Sequence, residues 1–118
     1  MWYLVLSRWA VPMSEGGAYL DQHLQFQYEN HQAGNILFSG PTQDLSVGIF
    51  VIRAASRKEA EAIADADPFH AHGVRTYEML DWEVHQIMGA GPFTGPAIGT
   101  LISDHPGRYR SIEALGDH

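Results

Sequence analysis

The chain has 118 residues, with 7 Lys and Arg against 14 Asp and Glu, 7 His, no Cys and a formal charge of −7. That length makes one domain able to fold without a disulfide or structural metal, and 45% hydrophobic with 18% charged residues excludes disordered and fibrous classes. The missing cysteines exclude disulfide frameworks, thiolate zinc sites, iron–sulfur clusters and cysteine nucleophiles, and the scattered basic residues exclude a stripe that neutralises nucleic-acid phosphates.

Taken in order, Trp2 to Trp9 is aromatic and β-branched and nearly apolar on both faces, which predicts a central strand. Its apolar run is too short for a signal peptide or a spanning helix and is closed by Ser7-Arg8, so a soluble, cytoplasmic protein with no membrane partner is expected. After Pro12 and Gly16-Gly17, the stretch 18–33 is helical by spacing, with Leu20, Leu24 and Tyr28 on one face and Gly34 as its C-terminal cap. Asn35 to Ser39 reads as a short strand, Gly40 to Asp44 as a turn, and Ser46 to Arg53 as the second strand of a hairpin. Ser56 and Glu59 form a capping box for an alanine-rich helix that runs to about Ala66, where Asp67-Pro68 ends it. Leu80 to His85 alternates apolar and polar residues, a half-buried strand with a wet face that begins near Val74. Residues 88–118 hold six of the 12 glycines and three of the six prolines, and read as an irregular arm. The arm keeps Phe93, Ile98, Leu101, Ile102 and Tyr109, so it is expected to pack on the domain or on a partner subunit. The order strand, helix, strand, strand, helix, strand is that of the α+β, ferredoxin-like βαββαβ unit with an antiparallel sheet. Helices cover one face of such a sheet, and a homodimer that pairs the other faces is the expectation.

Without thiols, chemistry falls on the histidines and carboxylates. His70-Ala71-His72 would share a face only if extended; a turn is expected there, with no metal site. His23 flanks the apolar face of the first helix, either as a half-buried histidine held by a backbone carbonyl or as a functional base. Asp67 stands at the C-terminal end of the second helix, where the macrodipole disfavours an anion, which suggests a compensating hydrogen bond to an imidazole N–H. Ser39-Gly40-Pro41 is a turn, or a place where backbone N–H groups and a hydroxyl meet a ligand oxygen.

His23-Leu24, Gly34, Leu37-Phe38-Ser39-Gly40-Pro41 and the strand with its capping box over 52–66 lead into Ala64-Asp65-Ala66-Asp67-Pro68-Phe69, then Gly73-Val74 and Tyr77-Glu78. In this combination the chain resembles the YCII-related family over residues 1–87, with 88–118 as an added extension. The resemblance implies a ferredoxin-like fold assembled as a dimeric α+β barrel, and an active site centred on His23 and Asp67. Ser39, Gly40 and Phe69 would be substrate contacts beside it. One branch of the family is similar to dehydrochlorinases of chlorinated hydroxyhydroquinones, and muconolactone isomerases share the barrel.

The expectation is therefore a small enzyme in which His23 moves a proton on a cyclic or aromatic small molecule while Asp67 fixes its tautomer, by lyase or isomerase chemistry and without a cofactor. Two alternatives are a non-catalytic small-molecule-binding module and a cofactor-free monooxygenase on the same barrel.

Overall fold

The strand β1 (Trp2–Trp9) is the spine of the sheet. In the computed structural model, which describes residues 1–85, it is followed by a 3₁₀ segment Met13–Tyr19, α1 (Leu20–Gln32), β2 (Ile36–Pro41) and β3 (Val47–Arg53). Then come α2 (Arg57–Asp65), the single-turn α3 (Pro68–Ala71) and β4 (Arg75–Trp82). The strands lie in the order β2-β3-β1-β4, and every neighbouring pair is antiparallel. This is the ferredoxin-like α+β arrangement, and β1 is central as its two apolar faces predict. The sheet with its helices lies within the unit Met1–Glu83. The arm expected over 88–118, and its packing on the domain or a partner, lie outside the described residues.

Register fixes which side chains meet. Val5 stands opposite Phe50 on β3 and Met79 on β4, and Tyr3 opposite Ile52. These residues form the core with Phe26, Ile36, Ala60 and Ala64. Burying an aliphatic or aromatic side chain of this kind contributes about 1.5–3 kcal/mol, which makes this layer the main source of stability. Leu4 and Leu6, one residue out of phase, point to the face that the helices leave uncovered, as does Leu80, the partner of Leu4.

Three expectations change. The first helix begins two residues later than its spacing predicts, after the 3₁₀ segment, and buries Phe26 and Gln27 instead of Leu20, Leu24 and Tyr28, which are 46%, 54% and 60% exposed. Spacing finds an apolar stripe but not what it faces: Leu20 and Leu24 line a cavity, and the half-buried Asn30 donates to the Phe26 carbonyl. Second, Gly40 and Pro41 are not in the turn but in β2, paired with Ile49 and Gly48 after a bulge. Pro41 is tolerated at the end of an edge strand. Third, β4 ends at Trp82 rather than His85, and its apolar Leu80 and Trp82 are nearly half exposed while Arg75 and Met79 turn inward. The capping box forms with one shift: Ser56 Oγ accepts from the Glu59 N–H at 3.2 Å, but the Glu59 carboxylate reaches the N–H of Ala55 at 3.1 Å. Among the described residues, no helix is long and apolar enough to cross a membrane.

Candidate active site

Asp67 sits where two helices meet. A residue before proline is pushed out of α geometry, and Asp67 is extended (φ −60°, ψ 124°), so α2 stops. Pro68 then occupies the first position of α3, where its missing N–H costs nothing, and Asp67 Oδ1 caps that helix by accepting the Phe69 N–H at 2.9 Å. The carboxylate expected to oppose the dipole at the end of α2 thus stands at the favourable end of α3. Its side chain is 1% exposed.

Both Asp67 oxygens accept from Nδ1 of His23, at 2.9 and 3.0 Å. Phe69 stacks on the imidazole with 4.2 Å between centroids and 18° between planes. The ring is held by a carboxylate on one edge and an aromatic on one face. In neutral imidazole this geometry keeps the proton on Nδ1 and leaves the lone pair on Nε2.

His23 forms part of the wall of a cavity of about 520 Å³, together with Ser39, Gly40, Phe69, Trp9 and Arg75. The four residues expected beside Asp67 therefore surround one space, with Asp67 behind His23. Ser39 is engaged: its hydroxyl is 2.7 Å from Nε2 of His31. Gly40 lies in the β2–β3 ladder rather than in a ligand-cradling turn. Across the cavity the Trp9 indole N–H donates to the Leu45 carbonyl at 2.9 Å, and Leu45 holds a left-handed φ of 64°. The loop is braced by Asp44, whose carboxylate accepts from both the Thr42 and Ser46 hydroxyls; these bonds bring its pKa down to about 2. A wider, shallower depression of about 800 Å³ between α1 and α2 has Gln25, Glu29 and Ile63 in its walls and none of these site residues.

Arg75 is the feature sequence reasoning missed. It is 7% exposed, and its guanidinium lies 4.0 Å from the Trp9 ring centroid and 4.9 Å from that of Phe69. Burial lowers its pKa and the Asp67 charge opposes that shift, but a guanidinium stays protonated. The available signal was Gly48 near the start of an apolar strand, since a glycine within a strand marks close approach by another group. A Cβ there would collide with Arg75 Nη1.

His70 and His72 do not converge. His72 stacks on Tyr19, whereas His70 Nδ1 donates to the Ala64 carbonyl at 2.6 Å and its Nε2 accepts from the buried Ser7 hydroxyl at 2.7 Å. Burial is the main cause that lowers the His70 pKa below its ordinary 6.5. The unfolded chain then binds the extra proton more readily, so the stability contributed by neutral His70 is complete above about pH 6.5 and is lost as pH falls below it. Thermal melting should show this loss in the wild type, and His70→Asn should flatten the slope in that window. An unchanged slope in the variant would assign it to other groups.

Comparison with known proteins adds two findings. A profile of the YCII-related domain matches residues 1–83, whereas no curated protein matches the sequence. Among solved structures, the chain is similar to 5-chloro-2-hydroxyhydroquinone dehydrochlorinase (TftG) from Burkholderia phenoliruptrix AC1100, determined in complex with 2,5-dihydroxybenzoquinone. The TM-score is 0.58 at 21% identity, over 70% of this chain and 93% of that one, a likeness of fold.

Proposed function

The chain belongs to the YCII-related family and has the protomer fold of the dimeric α+β barrels, and from that premise we propose that it is a small acid/base enzyme acting on a flat, cyclic or aromatic substrate. The observation that carries this reading is the two-oxygen grip of Asp67 on His23 Nδ1 at the wall of the cavity. Nε2 takes a proton from the substrate, and the Asp67 carboxylate stabilises the imidazolium that forms. Elimination of HCl is one reaction this arrangement serves: the proton goes to Nε2, its bonding electrons enter the ring, and chloride leaves. Isomerisation needs the same base and returns the proton elsewhere on the ring. The stacked Phe69 and the Trp9 ring suit a planar substrate.

The face of the sheet that carries Leu4, Leu6 and Leu80 is the surface through which a second copy would pair to complete the barrel. The functional test uses the substrate named for the structural neighbour. With 5-chloro-2-hydroxyhydroquinone, chloride release measured by ion-selective electrode should exceed the protein-free rate. A rate equal to the protein-free control would remove dehydrochlorination from this reading.

A further inference from the structure

We propose that Arg75 is the substrate-orienting residue of the cavity and that it selects ligands with a delocalised oxyanion, a ring carboxylate or phenolate, over neutral rings of the same shape. This rests on the acid/base reading above and adds the charge of the substrate to it.

Three observations lead there. First, Arg75 is buried and forms part of the cavity wall, yet among the described residues its guanidinium makes no hydrogen bond and has no carboxylate within 4.0 Å; Nε in particular is enclosed without an acceptor. A structural arginine at this depth normally has a paired carboxylate, because burying an unpaired cation is costly. Second, its near neighbours in the wall are aromatic: the guanidinium carbon lies over both the Trp9 and the Phe69 rings. Cation–π contact draws on the charge of the group and provides no oxygen acceptor for its N–H donors, whose planar fork fits the two oxygens of a carboxylate or a single phenolate oxygen. Third, the backbone is cut to admit it. Gly48 has no room for a Cβ because Arg75 Nη1 occupies that space, so the strand is glycine where the guanidinium crosses. Phe69 touches both Arg75 and His23, which places the cation and the base on one aromatic ring. An anion held by Arg75 would thus present its ring beside Nε2. The cation also offsets, locally, the formal charge of −7 that repels anions at long range.

The test needs no known substrate. Binding of benzoate and of isosteric benzamide to the full chain is followed by NMR titration, with 4-nitrophenolate against nitrobenzene as the phenolate arm. The wild type should prefer the anion by about tenfold or more in at least one arm, the size expected of one charge-assisted hydrogen bond, and the arm that shows it identifies the oxyanion. Arg75→Met should abolish that preference, and Arg75→Lys should recover part of it. His23→Ala should keep it, which separates this proposal from the acid/base one: loss of turnover with retained anion preference leaves both standing. Equal affinity for charged and neutral probes in the wild type, no binding of either anion, or a preference that survives in a folded Arg75→Met would overturn it. If Arg75→Met fails to fold, the wild-type comparison and Arg75→Lys decide.

Discussion

On the proposed acid/base reading, His23→Ala should lower turnover by about 10²–10⁴-fold, the contribution of a positioned general base, while the protein remains folded. The two effects separate because of where His23 sits. Its side chain is 14% exposed at a cavity wall, so its removal leaves no sealed void in the Tyr3, Val5 and Ile52 layer. What it does remove is one partner of a buried carboxylate, a cost of about 1–3 kcal/mol that the retained Phe69 N–H bond limits. The loss should fall on kcat more than on KM, since proton transfer is made in the transition state while the aromatic walls that bind the ring remain. Steady-state kinetics with a thermal melt checks both halves. Ligand binding in a wild type that shows no turnover would make the cavity that of a binding module.

Asp67 carries two duties, and two substitutions pull them apart. Asp67→Ala deletes the cap of α3 and leaves the Phe69 N–H and His23 Nδ1 without acceptors, so it should cost about 2–4 kcal/mol of stability as well as activity. Asp67→Asn can keep the cap, because one oxygen still accepts from Phe69. Its amide nitrogen, placed where Oδ2 stood, would face Nδ1 with a donor and favour the tautomer with the proton on Nε2. This variant should lose little stability but up to about 10⁴-fold in turnover, the effect of a wrong tautomer in a histidine–carboxylate pair. Chemical denaturation and kinetics on the two variants measure the split. Equal loss of stability in both would show that the charge, not the cap, holds the fold.

How far these features were legible depends on which interactions are local. The central strand Trp2–Trp9 was readable because apolar residues on both faces have one meaning, and the α2 cap because Ser56 and Glu59 are neighbours in the chain. Asp67 was noticed as an anomaly, but its resolution needed α3, a four-residue helix too short to leave a periodic trace. The face of α1 was misread because Leu20 and Leu24 line a cavity, while Gln27 turns inward, against the usual order of burial. Arg75 stayed hidden because its neighbours Trp9, Gly48 and Phe69 lie on three other elements, and only the register that sets Trp9 opposite Arg75 brings them together.

The central claim is that Asp67 holds His23 with its proton on Nδ1 and its Nε2 lone pair available to the cavity. Long-range ¹H–¹⁵N NMR of the His23 ring, recorded with the imidazole neutral, reads this directly. In the wild type Nδ1 should carry the proton and Nε2 should be bare, and Asp67→Asn should shift the proton toward Nε2. A wild-type His23 protonated on Nε2, or a tautomer that does not respond to Asp67→Asn, would contradict it.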